Sequence, residues 1–355
     1  MSATRLGITV VGAASLAGLC LSAILDPRTT LAGYLVGWVT LAAIPIGGLL
    51  ILPTTYLVRR AWTHDLHPIL IATTSALPLC GVLFLPVLLG QSLLYPVAAG
   101  VEVSAFKAAY LTPWAFALRT IAFFVIWSVL AAWLAHAWGD SARMNRAASV
   151  SLIVASLTIS LAGIDWLESL GADFHSSIYG LLFVSLTLMS SLAFVLGFGL
   201  LSPRRIHSTR GYGGLFLGTL LLWAYLHAMQ YIVIWAGNLP DEVTWYLDRA
   251  RGGWPYVMIL LAFGQFVVPF FLLLSAYVRR NRQWLFWICV ATLILRGFEA
   301  ALLAFPEIHD LNVVLLPFAT IVAVLFTASA FALAVARRLR DTVGYLNAPA
   351  ARAST

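Results

Sequence analysis

A few ionisable side chains lie inside the long apolar segments of this 355-residue chain. Asp165 and Glu299 are carboxylates that can accept a proton, and His227 can accept and release one near neutral pH. Arg119 and Arg296 carry a permanent positive charge. If these segments lie in lipid, each charge costs roughly 2.5–3.5 kcal/mol to insert and marks a candidate functional site. These residue types favour proton transfer or the binding of a polar ring.

Residue spacing places several of these groups on shared helix faces. Trp223, His227 and Gln230 follow an i, i+4, i+7 pattern, and Arg296 and Glu299 follow an i, i+3 pattern. The pattern predicts that each set lies along one side of its helix.

A second polar stretch, GIDWLESLGADFHSSIYG at Gly163–Gly180, ends an apolar run near the middle of the chain. It contains Asp165, Glu168, Asp173 and His175. We interpret Asp165 as the candidate for chemistry, and Glu168 and Asp173 as surface charges.

The composition indicates that the helices that carry these residues lie in a membrane. Hydrophobic residues make up 61% of the chain and charged residues 10%, with a mean hydropathy of +0.94. A soluble domain carries roughly 25% charged residues. The net charge of +7 does not indicate nucleic-acid binding, because the basic residues occur in small clusters between apolar runs. The three cysteines lie within apolar runs, without metal or disulfide spacing.

Ten apolar runs are long enough to cross a bilayer, since a spanning helix needs roughly 20 apolar residues. They cover 5–25, 31–58, 67–90, 111–137, 147–167, 177–201, 213–237, 254–279, 283–304 and 312–338. We therefore predict an all-α polytopic membrane protein of about ten helices, arranged as two bundles. Pro45, Pro78, Pro86 and Pro269 are expected to kink their helices. Residues 1–340 would form the transmembrane domain, and 341–355 a short disordered cytoplasmic tail.

The distribution of basic residues predicts that both termini face the cytoplasm. Most of the 21 basic residues fall on one side of the predicted spans: Arg5, Arg59, Arg60, Arg143, Arg146, Arg204, Arg205, Arg210, Arg279, Arg280, Arg282, Arg337, Arg338, Arg340 and Arg352. The other side holds Arg28, Lys107, Arg249 and Arg251. The stretch Gly163–Gly180 is therefore predicted to be an outer turn.

Helix direction then places the intramembrane polar residues in the outer half of the bilayer. We expect one polar cluster, with His227 and Arg119 near Asp165, that Gln230, Gln265 and Glu299 extend inward. Such a cluster could bind a quinol and accept its protons. In the alternative, Arg119 pairs with Asp165 or Glu299 only to neutralise buried charge and fix helix packing.

The histidines do not form a pair for haem. His64, His67, His136 and His207 belong to the predicted cytoplasmic end, and His175 and His309 to the outer loops. A b-type haem between helices needs axial ligands within the membrane, and His227 has no partner there. We expect no haem, iron–sulfur cluster or metal ion in this chain.

Three stretches resemble motifs of one membrane-protein family: KAAYLTPWAFALR at 107–119, IDWLESLGADFHSSIYG at 164–180, and WAYLHAMQYIVIWAGNLPDEVTWYL at 223–247. They are similar to the ActF-like subunit of bacterial alternative complex III, in the NrfD/PsrC-like superfamily. Lys107, Arg119, Asp165, His227, Gln230 and Asn238 occupy positions of those motifs.

The resemblance implies a bacterial inner-membrane subunit of a quinol:cytochrome c or quinol:oxidase-linked electron-transfer complex. Its implied partners are the related first NrfD-like membrane subunit, multihaem cytochrome c and iron–sulfur subunits, and a terminal oxidase. Its implied ligand is quinone or quinol. Residue type, spacing and predicted depth make Arg119, Asp165, Trp223, His227, Gln230 and Arg296 the candidates for binding it, and Asp165, His227 and Glu299 the candidates for proton transfer. The alternatives are a structural scaffold with an ion-paired core and a secondary transporter.

Overall fold

A computed structural model describes residues 3–58, 65–201 and 209–347. Arg59, Arg60, His64, Arg204, Arg205, His207 and the segment 348–355 lie outside the described residues. All regular elements of the described part are helical. The fold-class prediction is therefore confirmed.

Ten helices are long and apolar enough to cross a membrane within the described ranges. The spans, numbered in chain order, are Thr4–Leu25, Pro27–Val58, His67–Leu89, Pro113–Ala137, Ser141–Leu170, Tyr179–Leu201, Thr209–Gly237, Trp254–Leu274, Arg282–Glu307 and Leu315–Arg340. The fifth span begins before the predicted residue 147 because the Asp140 carboxylate caps it, accepting hydrogen bonds from the backbone N–H groups of Ala142 and Arg143 at 3.0 and 3.1 Å.

Two of the spans are interrupted, both at positions rich in proline. The third span divides into His67–Thr74, Leu77–Leu83 and Leu85–Leu89, and Gln91–Leu94 follows. The eighth span contains a π-helical segment, Leu261–Val267, between the α-helices Trp254–Leu260 and Val268–Leu274. Pro78, Pro86 and Pro269 stand at the first turns of their helical pieces, as their missing N–H groups favour. Pro45 lies inside a continuous helix.

Eight of the spans can be described as two groups of four, which we call the first and second bundles. In the first, the second span packs on the third and fifth, and the fourth packs on the same two. In the second, the sixth span packs on the seventh and ninth, and the eighth packs on the same two. The second and sixth spans join the groups, and the first and tenth spans complete the molecule.

Glycines allow the central helices to approach closely. A Cβ atom at Gly47 in the second span would overlap the backbone carbonyl of Thr187 in the sixth. A Cβ atom at Gly180, where the sixth span begins, would overlap Ser160 of the fifth. Small residues at such crossings are the usual device of membrane helix packing.

The loops that follow the odd-numbered spans meet at one end of the molecule, which we call the predicted outer end. At this end, Arg28 Nη1 lies 3.8 Å from Asp310 Oδ2. The backbone N–H of Asn312 donates to the Thr29 hydroxyl at 2.9 Å. Two short helices, Ala105–Tyr110 and Pro240–Arg249, lie in its longer loops.

Other helices begin or end at short turns. The fifth span contains Ser141–Trp166 and the 3₁₀ turn Glu168–Leu170, and the ninth contains Arg282–Ala304 and the 3₁₀ turn Phe305–Glu307. The helix Ala276–Arg280 precedes the ninth span. The first helix is Ala3–Leu25, and the last is Leu315–Asn347. The last helix includes residues 341–347 of the predicted tail, and the disorder of 341–355 stays a prediction.

Candidate functional site

The first candidate group joins the fourth and fifth spans through Arg119 and Asp165. Arg119 Nε donates to Asp165 Oδ2 at 2.7 Å, and Nη2 donates to Oδ1 at 3.3 Å. Arg119 Nη1 donates to the Tyr110 carbonyl at 2.6 Å, and the guanidinium carbon lies 3.8 Å from the centre of the Tyr110 ring. Both carboxylate oxygens of the fully buried Asp165 are thus bonded to the arginine.

The polar side chains next to this ion pair also have hydrogen-bond partners. Ser169 Oγ donates to the Asp165 carbonyl. Trp166 Nε1 donates to Thr120 Oγ1 at 3.1 Å, which again joins the fifth span to the fourth. Burial, with the nearby Asp165 carboxylate, raises the pKa of Tyr110 to about 12, so its hydroxyl stays protonated. The first group is a fully bonded ion pair between helices.

The second candidate group joins the seventh and ninth spans around Glu299. Arg296 Nη1 contacts Glu299 Oε2, and both side chains are fully buried. Trp223 Nε1 donates to Glu299 Oε1 at 2.8 Å. His227 Nε2 lies 3.3 Å from the same oxygen, and 31% of the His227 side chain is exposed. The imidazole therefore separates the buried carboxylate from the lipid-facing surface.

The contacts of His227 indicate which ring nitrogen carries a hydrogen in the neutral imidazole. His227 Nδ1 lies 3.1 Å from the Trp223 carbonyl, which can only accept, so Nδ1 carries a hydrogen. In a neutral imidazole Nε2 would then be an acceptor facing a carboxylate oxygen. A hydrogen bond between His227 and Glu299 consequently requires a second proton, held by the imidazole or by the carboxyl group.

Several buried polar atoms around the second bundle have no hydrogen-bond partner among the described residues. These atoms are Nε and Nη2 of Arg296, both amide atoms of Gln230 and Oε1 of Gln265. Gln230 is 1% exposed and Gln265 is fully buried in the π-helical segment, where its Nε2 donates to Met189 Sδ at 3.4 Å. Buried polar groups are normally paired with protein or ordered water. The residues around Glu299 thus have unfilled capacity for water or a polar ligand, whereas the Arg119–Asp165 pair has none.

The predicted single cluster is therefore two groups. In the described part of the chain, no hydrogen bond or ion pair joins Asp165 or Arg119 to His227 or Glu299. Arg119 pairs with Asp165, and the described hydrogen bonds and ion pairs of these two residues do not include His227. The two carboxylates belong to different bundles, which depth along a helix cannot reveal.

Lys107 has a structural role that sequence reasoning missed. It is buried on the short helix Ala105–Tyr110, and its Nζ donates to the carbonyls of Gly171, Ala172 and Phe174 at 3.0, 2.9 and 2.9 Å. Burial lowers the pKa of Lys107, against the attraction of neighbouring carboxylates. Lys107 thus fixes the loop after the fifth span.

Arg249 plays the corresponding part in the second bundle. This fully buried side chain donates to the carbonyls of Leu302 and Leu303, at 2.9 and 3.1 Å, which end the ninth span. It also bonds the Trp245 carbonyl and the Glu307 carboxylate, at 2.9 and 2.7 Å. The sequence contained a signal for this role of Arg249, because Arg249 is one of only four basic residues on the predicted outer side, where the positive-inside rule disfavours them.

The expectation that Glu168, in the stretch Gly163–Gly180, is a surface charge is wrong. Glu168 is buried, and its Oε1 accepts from the Ser176 backbone N–H at 3.1 Å, so it is not a surface charge. Asp173 is exposed, as predicted.

Comparison with known proteins identifies no relative: no protein-family model matches the chain, and no curated protein is similar to it in sequence. Among the described residues, no group of three or more histidine, cysteine, aspartate or glutamate side chains could hold a metal ion. The fold and the site define a multi-pass helical membrane protein, which contacts lipid, with buried ionisable groups in its spans.

Proposed function

We propose that this protein is a membrane subunit, without redox centres of its own, of a bacterial quinol-oxidising electron-transfer complex. Its contribution is a proton-accepting site formed by His227 and Glu299 in the second bundle. The observation that carries the proposal is the partly exposed imidazole, with Nε2 at 3.3 Å from a fully buried carboxylate and Nδ1 already engaged with a carbonyl.

The chemistry follows from the position of the imidazole. Oxidation of a quinol releases two electrons and two protons, and the electrons pass to the haem and iron–sulfur centres of partner subunits. A quinol arriving from the lipid reaches His227 before Glu299. Rotation of the imidazole presents Nε2 to a quinol hydroxyl, Nε2 takes one proton, and rotation back passes that proton to Glu299. Glu299 releases it on the predicted outer side before the second proton follows by the same route. Arg296 balances the carboxylate charge between these events, and Trp223 fixes the carboxylate orientation.

The test replaces the imidazole with a side chain that cannot shuttle protons. His227→Gln is chosen because His227 is partly exposed and its loss removes little packing. We expect quinol:cytochrome c turnover per assembled complex to fall about 100-fold, the lower size of a general-base contribution. His136→Gln is the matched control, because among the described residues the exposed His136 bonds only the carbonyl one turn earlier in its own helix. Unchanged turnover in His227→Gln would refute the proposal.

A structural scaffold with an ion-paired core is the second candidate, and the fully bonded Arg119–Asp165 pair favours it. A scaffold predicts that His227→Gln lowers the amount of assembled complex and leaves turnover per complex unchanged. A secondary transporter is the third candidate, since transporters use interrupted helices such as the third and eighth spans. Isolation of the native protein separates the classes: co-purification with haem and iron–sulfur subunits supports either subunit role, and a lone chain supports transport.

A further inference from the structure

The core of the second bundle contains unpaired hydrogen-bond donors and an unpaired acceptor, all of them buried. Arg296, on the ninth span, is fully buried, and its Nε and Nη2 groups have no acceptor among the described residues. Gln265, in the π-helical segment of the eighth span, is also fully buried, and its Oε1 has no donor within the described ranges. A guanidinium group only donates and an amide oxygen only accepts, so the two groups are complementary.

The packing of the sixth span on the ninth places Met189 at the depth of Arg296. A Cβ atom built on Gly197 would lie 3.2 Å from Cys289 Cβ, which shows where these antiparallel helices meet. Seven residues nearer the predicted outer end come Ser190 on the sixth span and Arg296 on the ninth. Seven residues are nearly two turns, so both lie about 10 Å from this contact, on the same helix faces. Met189, the residue next to Ser190, is therefore level with Arg296.

Two contacts of the π-helical segment bring the Gln265 amide to the same depth. Gln265 Nε2 donates to Met189 Sδ at 3.4 Å. A Cβ atom built on Gly264 would lie 3.3 Å from the side chain of Leu295, the residue before Arg296. The Gln265 amide thus lies among the sixth, eighth and ninth spans, beside the arginine. π-Helical turns inside α-helices are frequent at functional sites.

We propose that ordered water binds between Arg296 and Gln265, where it accepts hydrogen bonds from Arg296 Nε and Nη2 and donates one to Gln265 Oε1. Buried polar groups without a protein partner normally bond to ordered water, and such water needs several polar partners. Neither side chain has exposed surface, so a ligand as large as a quinone ring has no opening through which to reach them. The permanent positive charge of Arg296 disfavours a metal ion at this place.

The bound water also gives Gln265 a part in proton transfer, and only this second part of the inference rests on the proposed function. Arg296 Nη1 contacts Glu299 Oε2. When Glu299 accepts a proton from His227, its charge no longer balances that of Arg296. The water and Gln265 Oε1 then keep the guanidinium group hydrogen-bonded. Gln265 is thus a positioning residue, which acts on Glu299 through Arg296.

X-ray radiolytic labelling detects such water, because radicals formed from it oxidise the nearest side chains. The sample is the full chain in phosphatidylcholine nanodiscs, and the reporter is Met189, which is fully buried and bonded to Gln265. Cys289 is the matched control, because it is a sulfur side chain on the same pair of spans and is 1% exposed. We expect oxidation of Met189 to be well above that of Cys289. Oxidation of Met189 no faster than that of Cys289 would overturn the water site.

Two substitutions of Gln265 separate bound water from loosened packing. Gln265→Leu removes the acceptor at similar volume, and should slow oxidation of Met189 about fivefold, the change in water occupancy on loss of one hydrogen bond. Gln265→Glu keeps an acceptor, and should leave oxidation of Met189 close to the wild-type rate. An equal change in the two variants would show that packing controls the labelling, and would refute the water site.

Turnover tests the positioning role separately. Gln265→Leu should lower kcat for quinol:cytochrome c turnover about fivefold, by loss of the same hydrogen bond, at unchanged KM, because quinol meets His227 and not Gln265. If Gln265→Leu slows the labelling but leaves kcat unchanged, while His227→Gln lowers turnover, the positioning role is refuted and the water site stands. Failure of the proposed function is seen instead as unchanged turnover in His227→Gln, and it does not alter the labelling of Met189.

Discussion

The substitution Asp165→Asn separates a structural ion pair from a proton-exchanging carboxylate. The amide has the shape of the carboxylate, but it has no negative charge and its NH₂ group cannot accept, so it keeps only one of the two Arg119 hydrogen bonds, at 2.7 and 3.3 Å. Breaking a buried pair costs about 3–5 kcal/mol. The Arg119 side chain is 22% exposed and keeps its hydrogen bond to the Tyr110 carbonyl at 2.6 Å. We therefore expect the free energy of unfolding to fall by the lower limit of that range, about 3 kcal/mol.

The assay is the free energy of unfolding in bicelles, measured by steric trapping, together with quinol:cytochrome c turnover per assembled complex. Asp165→Asn should lower the free energy of unfolding and the yield of complex, and leave turnover per complex unchanged. The double variant Arg119→Met with Asp165→Leu should recover most of the stability, because an apolar pair of similar volume often replaces a buried ion pair without loss.

Asp140→Asn is the matched control, because Asp140 is exposed and caps the fifth span at its other end. Asparagine is an equally good cap, so no stability change is expected. The opposite result for Asp165→Asn, unchanged stability with a large loss of turnover, would show that Asp165 exchanges a proton during the reaction. That result would contradict our assignment of a structural role to the Arg119–Asp165 pair and of proton transfer to His227 and Glu299.

Three further substitutions test how the scaffold is held. Lys107→Met removes three charged hydrogen bonds and should lower the free energy of unfolding by about 2–3 kcal/mol, with faster hydrogen exchange in 171–174. Gly47→Ala should prevent folding, since its Cβ would overlap a backbone carbonyl; yield of folded protein is the measure. Hydrogen bonds from Thr29 hold the pKa of Asp26 below its usual 3.8. The ionised Asp26 therefore adds its full contribution to the free energy of unfolding above pH 3.8, and this contribution is lost as the pH falls through the lowered pKa. Asp26→Ala should abolish that acid sensitivity in unfolding titrations.

The sequence predicts those features that depend on distance along one helix. Apolar length defines the ten spans, because the bilayer thickness fixes how many residues a helix needs. Helical periodicity brings Arg296 next to Glu299, and Trp223 next to His227, with ring centroids 4.4 Å apart. The pairing of Arg119 with Asp165 was one of two alternatives, and the structure selects it.

Contacts between distant segments were not predictable in the same way. The sequence gives the depth of Asp165 and Glu299 but not the neighbours that each helix face meets, which depend on how all ten helices pack. The roles of Lys107 and Arg249 were hidden for a related reason. Lys107 binds a backbone carbonyl 64 residues away, and Arg249 binds one 53 residues away. Every residue type has a carbonyl group, so the sequence contains no signal for such a contact.

The two bundles share a plan at the predicted outer end, and their difference explains why we place chemistry in the second. In each, a short helix carries one buried cation that binds backbone carbonyls near the end of a carboxylate-bearing span. In the first bundle, Asp165 takes its arginine from a neighbouring span, so the pair ties two helices together. In the second, Glu299 and Arg296 stand one turn apart on the same helix, and the carboxylate reaches another span only through the uncharged Trp223 indole and through His227. A buried carboxylate whose arginine lies on its own helix, beside a partly exposed imidazole, favours a proton that comes and goes over a charge pair that ties helices together.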